Sequence, residues 1–358
     1  MQASAPTKAL DSCALQRARA LPARYYFGEQ MLSLERQHIF RPSWQMVAHG
    51  EQLAEPGDHV VTDVAGTSVL LLRGHDRVLR AFANVCRHRA GPLALCSGKG
   101  MGNLRCKYHG WLYNQDGQLI AAPEMHEAED FRVEEVHLPR LRLHEWQGLV
   151  FVSLSDASPD FAAVFGSMCE RIAPIDLDGM RFTRRDTWDV ACNWKVYVDN
   201  FLEGYHVPTV HPALAQVLDY REYHTELYPY CSVQHSPLRN SDGAFGDGEA
   251  LYCFVFPNMM FNFVPGRLQF NRILPLTPDR CRVEFEYFYA QAPEVQARIE
   301  QDRVFNDSVQ GEDVRICEWV QKGLASGYYE AGRLCPRREG GVWHFHELLR
   351  AAYALAPN

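Results

Sequence analysis

The sequence predicts an α+β chain in which a β-rich portion precedes a mixed portion built on further strands and helices. Three observations carry this. Residues 46–155 break into short β-branched or alternating runs, residues 251–290 form a second β-rich stretch, and residues 160–171 and 293–323 have helical character. In the first portion, DHVVTDVAGTSVLLLR (58–73) and VLRAFANV (78–85) flank a Gly-His-Asp turn, and Asp116-Gly117 separates two short runs as a hairpin turn would. In the second, YCFVFPNMMFNFVP, LQFNRILPL and CRVEFEYFYAQA succeed one another. The run Ser155–Pro159 reads as a linker between the halves.

Composition bounds the function. At about 150 residues per domain, 358 residues make two domains, and 47% apolar residues can form a core. Disordered, collagen-like and coiled-coil chains are excluded. With 36 Lys plus Arg against 44 Asp plus Glu, the net charge is −8, and no basic stripe offers itself to phosphates. The first 28 residues carry Lys8, Asp11, Arg17, Arg19 and Arg24 in place of an apolar signal core. No run approaches the length of a membrane span, so a soluble cytoplasmic protein with reduced thiols is expected. An odd total of 11 cysteines fits no disulfide framework. Reduced thiols are free to bind metal. No P-loop is present, and GKGMGN (98–103) reads as a loop.

The segment NVCRHRAGPLALCSGKGMGNLRCKYHGW holds Cys86 and His88 as C-x-H, then 17 residues, then Cys106 and His109 as C-x₂-H. Zinc fingers pair like with like, Cys-Cys then His-His. Here each pair is mixed. A Rieske [2Fe–2S] centre needs two Cys on one iron and two His on the other, and mixed pairs on two loops give each iron one ligand per loop. The spacing therefore favours Rieske over zinc and over four packed core residues. Cys96, inside the loop, has no partner in the pattern and reads as structural.

The segment NWKVYVDNFLEGYHVPTVHP (193–212) carries a second constellation. Trp194, Tyr197, Val198, Phe201 and Tyr205 mark the packed face of an expected helix, with Asp199, Glu203 and His206 on its other face. Pro208 is expected to end that helix and swing His211 back toward His206. Two imidazoles beside carboxylates suggest a divalent metal, and a 2-His-1-carboxylate triad still needs its acid. Residues 302–324 carry an apolar stripe of Phe305, Val309, Ile316, Val320 and Leu324, with Asp313 and Glu312 flanking its centre. A carboxylate there is costly unless paired or metal-bound. Geometry slightly prefers Asp313 and leaves Glu312 open.

The first pattern, with Arg89 and Gly110-Trp111 beside its histidines, resembles the Rieske domain of Rieske non-haem iron oxygenases. Where that family usually carries Pro, this chain has Lys107, which is not a ligand position. The second, E-x₂-H-x₄-H, resembles the D/E-x₂-H-x₄-H motif of the family's catalytic domain. The likeness runs from about Phe40 to the end. It implies an all-β Rieske domain over 43–155, a helix-grip catalytic domain with an antiparallel sheet flanked by helices over 156–358, and an N-terminal helical segment, 1–42, packed on the catalytic domain. It also implies a [2Fe–2S] cluster on Cys86, His88, Cys106 and His109, and a mononuclear Fe(II) on His206, His211 and Asp313. Glu203 would bridge toward a Rieske histidine of a neighbouring subunit, with Asp199 in a supporting role. The Glu at this position, FPNMMFNF (256–263), VQKGL (320–324) and WHFHELL (343–349) are most similar to the oxygenases of choline, carnitine and betaine.

The expected function is thus that of a terminal oxygenase component. It would use O₂, with electrons from a separate flavin/ferredoxin-type NAD(P)H reductase, to oxidise a carbon beside nitrogen, as a homotrimer. Aromatic faces would meet the cation. By position Tyr205, Phe254, Phe261 and Phe263 are candidates, although most aromatics here belong to the core. The alternatives are an aromatic ring-hydroxylating or demethylating Rieske oxygenase, a Rieske electron carrier and a zinc-stabilised binding protein. His344 and His346 read as helix-start packing, and the scattered remaining cysteines as ordinary buried thiols.

Overall fold

A computed structural model describes residues 12–239 and 248–355. The first eleven residues of the expected N-terminal segment, and residues 240–247 and 356–358 of the expected catalytic domain, lie outside the described residues. The chain divides into two compact units, one spanning Phe40–Pro159 and the other joining the residues up to Ile39 to those from Asp160 onward.

The Phe40–Pro159 unit contains three antiparallel sheets of three strands each. Gln45–His49, Leu149–Ser153 and Arg142–Trp146 form one; His59–Val64, Thr67–Arg73 and Leu79–Ala83 form another; Leu104–Arg105, Leu112–Tyr113 and Leu119–Ala121 form the third. The run 58–73, read from sequence as one stretch, is a hairpin. Ala65 and Gly66 both take positive φ, 51° and 84°, which suits a tight two-residue turn. The unbroken VLLL of Thr67–Arg73 is explained by burial on both faces. Val69 and Leu71 join one core cluster, while Leu70 and Leu72 join a second that contains Cys86, Cys106, Trp111 and Tyr113.

The other unit is built on a seven-stranded antiparallel sheet. Its order is Met180–Val190, Arg280–Ala290, Arg267–Thr277, Met259–Val264, Glu249–Val255, Cys231–Pro237 and His224–Leu227. The first of these and the last two are strands that the hydrophobic pattern did not reveal. Met180–Val190 is an edge strand whose RFTRRDTWD alternates exposure with partial burial, so few apolar residues announce it. Helix Phe161–Ile172 packs on one face of the sheet, its Phe165 edge-on to Phe261 at 6.5 Å. Helix Gly340–Leu355 packs on the other, with Phe345 at 5.5 Å from Phe254.

Two local expectations are corrected. The helical region from Pro293 is two helices, Pro293–Gln296 and Ile299–Ala325. The long helix buries Asp302, Gln310, Cys317, Gln321 and Leu324, so polar residues share the inward side with the expected apolar stripe, of which Phe305 and Val309 pack partly buried against a core cluster while Val320 is 45% exposed. Polar residues can face the interior because each is hydrogen-bonded: Asp302 by Arg267 and Tyr289, Gln310 by the Tyr197 hydroxyl, Gln321 by the Asn193 amide. No helix among the described residues is long and apolar enough to cross a membrane.

Candidate functional site

Within the Phe40–Pro159 unit, Cys86 and Cys106 open two loops closed by the same backbone pattern. Cys86 N–H donates to Gly91 O and Ala90 N–H returns to Cys86 O; Cys106 N–H donates to Trp111 O and Gly110 N–H returns to Cys106 O. The fifth residue of each loop turns through positive φ, Ala90 at 57° and Gly110 at 73°. Lys107 N–H donates to Pro92 O and ties the loops together. The His88 and His109 rings lie edge-on with centroids 4.7 Å apart, and His88 stacks on Trp111 at 4.7 Å.

This loop pair fits a two-iron cluster. Two cysteines and two histidines are the donor set, and the His88 Nδ1 is buried with no hydrogen-bond partner. A Cβ at Gly91 would lie 2.9 Å from Cys106 Sγ, so only glycine leaves the sulfur its room. Each sulfur has a donor: the Tyr113 hydroxyl is 3.2 Å from Cys86 Sγ, and Tyr108 N–H is 3.4 Å from Cys106 Sγ. Burial pushes the Cys86 thiol up, the Tyr113 hydrogen bond opposing it. His109 is exposed, and partial desolvation with the charges of His88 and Arg89 holds its pKa below the ordinary value.

In the other unit, helix Trp194–Phe201 buries Trp194, Tyr197 and Val198 but stops at Phe201. Glu203 and His206 therefore do not continue the helical face of Asp199, and Tyr205 is 53% exposed instead of packed. The helix does not run on to be ended by Pro208. A turn through Gly204 separates it from a new short helix, Val207–Val210, in whose first turn Pro208 sits, where its missing N–H costs nothing. The Glu203 carboxylate stabilises that turn by accepting from the Tyr205 and His206 amides. His211, at the end of the short helix, comes back to His206 with ring centroids 5.0 Å apart.

Ring nitrogens of His206 and His211 and a carboxylate oxygen of Asp313 lie within 4.8 Å of one another. His211 Nε2 is 3.0 Å and His206 Nε2 3.9 Å from Asp313 Oδ1. The opposite nitrogens each meet a second carboxylate: His206 Nδ1 donates to Glu203 at 2.7 Å, and His211 Nδ1 to Glu312 at 2.7 Å. Glu312 thus takes the orienting side of His211, while Asp313 faces both Nε2 atoms. Asn200 Nδ2 holds Asp313 at 2.6 Å. The donor chemistry fits a divalent iron with carboxylate-oriented imidazoles. Burial lowers the His211 pKa, but the bonds and charges of Asp313 and Glu312 outweigh it and leave the pKa above the ordinary histidine value.

Asp199 stands apart from this triad. Its Oδ2 accepts from the Tyr26 hydroxyl at 2.6 Å and its Oδ1 from His346 Nε2 at 2.9 Å. His346 Nδ1 in turn accepts from the Leu21 amide. His346 lies within helix Gly340–Leu355, not at its start, and is fully buried. Sequence reasoning missed its link to Asp199, as it missed the roles of Asn200 and Glu312. The adjacent acids Glu312-Asp313 were the one local signal.

A cavity of about 110 Å³ opens beside His206, His211 and Asp313. Its aromatic lining is Tyr197, Phe201, Tyr223, Tyr252, Phe285 and Phe305, and its amide lining is Asn200, Asn262, Gln269, Asn271, Asn306 and Gln310. The positional candidates Tyr205, Phe254, Phe261 and Phe263 do not line it. Phe261 and Phe263 fall on the other face of their strand from Asn262, and Phe254 is covered by Phe345.

Residues 43–137 match the Rieske [2Fe-2S] domain family and residues 177–355 the ring hydroxylating alpha subunit (catalytic domain) family. The chain is 33% identical to choline monooxygenase, chloroplastic, of Beta vulgaris, over 91% of this chain and 75% of that protein. It is 30% identical to the carnitine monooxygenase oxygenase subunit of Escherichia coli (strain K12), over 94% and 95% respectively. The crystal structure of the quaternary ammonium Rieske monooxygenase CntA in complex with L-carnitine superposes with a TM-score of 0.84 at 26% identity, covering 96% of this chain and all of that one. The fold, the two Cys/His and His/carboxylate constellations and these likenesses agree: the chain belongs to the ring-hydroxylating alpha-subunit family of Rieske non-haem iron oxygenases, oxidoreductases that carry a Rieske [2Fe–2S] cluster and a mononuclear iron.

Proposed function

We propose that the chain is the terminal oxygenase of a monooxygenase acting on a quaternary ammonium compound. The observation that carries this is the cavity beside His206, His211 and Asp313, whose lining combines six aromatic and six amide side chains. Aromatic faces attract a cation without neutralising it, and a tetraalkylammonium has no N–H to satisfy. The relatives named for choline and carnitine support the same substrate class.

In this reading Cys86, His88, Cys106 and His109 hold the cluster, and His206, His211 and Asp313 hold the iron. When bound, the two groups supply single electrons and dioxygen activation. Glu203 and Glu312 fix the imidazoles through Nδ1, and Asn200 fixes the carboxylate of Asp313. Glu203 would also accept a hydrogen bond from the partner subunit's His109 or the partner subunit's His88. Asp199, held by Tyr26 and His346, supports the helix that presents Asn200. Overall, a substrate C–H, O₂, two electrons and two protons give a C–OH and water, and the product is either a carbinolamine that separates into a carbonyl compound and an amine or an aldehyde hydrate. A homotrimer, a separate flavin/ferredoxin-type NAD(P)H reductase and a cytoplasmic location complete the proposal. We assign the domains as 43–155 for the cluster and 156–358 for the iron, with 1–42 packed on the latter.

The test is a substrate screen with a surrogate reductase. NADH-dependent oxygen uptake is compared for choline, carnitine, glycine betaine and simple aromatic acids. Uptake with an ammonium compound supports the reading. Uptake with aromatic acids and none with ammonium compounds overturns it.

A further inference from the structure

The two loops that carry Cys86, His88, Cys106 and His109 concentrate positive charge without a counter-charge. Over 84–115 the chain has Arg87, Arg89, Lys99, Arg105 and Lys107 and no Asp or Glu, while the remainder, with 31 Lys and Arg against 44 acids, carries −13. Spaced singly along the sequence, the five make no basic stripe there; the fold draws the loops that bear them together. Lys107 N–H donates to Pro92 O and joins one loop to the other. Arg89 places its guanidinium 5.2 Å from the Tyr108 ring centre, and Arg105 Nη1 lies back on Gly110 O at 3.4 Å. Lys107 stands where the family pattern usually has Pro, so its charge is an addition in this chain.

All five cations are exposed, and none forms an ion pair among the described residues. The nearest acids are committed elsewhere or stand aside. Asp76 and Asp116 both pair with Arg80, and the run holding Glu124, Glu127, Glu129 and Asp130, brought near by Phe131 at 5.5 Å from Trp111, gives no carboxylate to the five. Like charges gathered in this way repel one another and are relieved by a partner of opposite sign. Apolar side chains share the same loops. Leu95 is 72% and Tyr108 56% exposed, and the Tyr108 ring lies 3.7 Å from that of the exposed His109. An apolar contact with a charged rim is the anatomy of a protein interface, and small transient interfaces serve electron transfer.

Resting on the separate electron donor of the proposed function, we infer that these cations dock the acidic face of that donor, an iron–sulfur protein of ferredoxin type, over the cluster loops. Each encounter passes one electron: the donor's reduced centre is oxidised by one and the cluster is reduced by one, with no bond made or broken. Two encounters supply the two electrons of the overall reaction. Solvent-exposed charge speeds the encounter without holding the complex, so the spent donor leaves.

The experiment is anaerobic reduction of the cluster in the iron-loaded holoenzyme, followed by freeze-quench electron paramagnetic resonance, which separates the Rieske signal from the donor's. The donors are pre-reduced plant-type [2Fe–2S] ferredoxin, an acidic protein, and the methyl viologen radical cation, a small donor of opposite charge. Raising salt from about 0.05 M to about 0.5 M should slow reduction by ferredoxin at least about ten-fold. The triple variant Arg87→Glu, Lys99→Glu, Lys107→Glu should slow it as much at low salt and lose the salt dependence, while its reduction by the viologen radical does not fall. A ferredoxin rate indifferent to salt and to the substitutions would overturn the docking, and so would a variant slowed equally with both donors, which places the defect in the cluster. A variant whose assembly mass falls in light scattering also overturns it, because a second copy of the chain then covers these loops. No reduction by ferredoxin at any salt, with the viologen radical still effective, defeats the donor of the proposed function and the docking with it. Should the triple variant lose its cluster, Lys107→Gln and the salt dependence of the unaltered protein decide.

Discussion

Replacing Glu312 with Gln should release iron while leaving the fold and the Rieske cluster in place. Glu312 Oε2 receives His211 Nδ1 at 2.7 Å, in a pocket where His211 is 2% and Glu312 22% exposed at the side chain. A charge-assisted bond of this length contributes about 1.5–3 kcal/mol. Gln retains an acceptor oxygen but removes the charge, so about half of that range is expected to be lost. A loss of about 1.4 kcal/mol is about a ten-fold weaker iron affinity, at the lower end of what altering a ligand-orienting partner produces. Glu312→Ala, which leaves Nδ1 with no acceptor, should approach about a hundred-fold. Fe(II) affinity is measured by competition with a chromophoric chelator, and the visible spectrum of the cluster reports the other site. Glu300→Gln, on the same helix and paired with surface Arg303, is the control. Unchanged iron affinity in both Glu312 variants would refute the orienting role, and tighter iron binding in Glu312→Gln would show that the charge opposes the site.

Three further outcomes follow from the same geometry. Glu203→Gln should weaken iron about ten-fold for the same reason and, with iron supplied to saturation, still slow turnover sharply, because the orienting bond to His206 Nδ1 at 2.7 Å loses its charge; single-turnover oxidation of the pre-reduced cluster at the wild-type rate would contradict this. Glu35→Gln should cost about 3–5 kcal/mol in chemical denaturation, since fully buried Lys195 pairs with that carboxylate and would be left as an isolated charge; a loss under about 1 kcal/mol would show that burial is relieved locally. In chelator-stripped protein the raised His211 pKa makes the protonated imidazole the stabilised form. Its stabilisation is complete below the unfolded histidine value near about 6.5 and is lost as pH rises through the higher folded value. Denaturation midpoints should therefore fall between about pH 6 and about pH 8 by more in the parent than in His211→Gln.

Sequence by itself determined the chemistry that depends on local spacing. Cys86 and His88, and Cys106 and His109, sit within single tight loops, so the residue intervals already say which donors share a loop. His206 and His211 lie five residues apart and meet through one short helix. Strand positions rich in β-branched residues were legible for the same reason, as was the Asp116-Gly117 turn. Where a proline was read as a helix end, the local rule failed because proline serves equally well in a first turn.

Tertiary structure alone decided whatever depends on partners far along the chain. Which nitrogen of His211, about a hundred positions earlier, each of Glu312 and Asp313 meets was visible only in the fold. His346 could not be linked to Asp199, 147 residues away, by any periodicity. The polar residues buried beside the stripe of the long helix were not foreseen, because Asp302, Gln310 and Gln321 become buriable only when Arg267, Tyr197 and Asn193 arrive to bond them. The cavity lining likewise depends on the register that sets Asn262 beside Gln269 and turns Phe261 and Phe263 to the other face. Hydrophobic patterning reports the average preference of a segment for burial; a polar side chain's place inside is set by its bonding partner, and that partner is supplied by the fold.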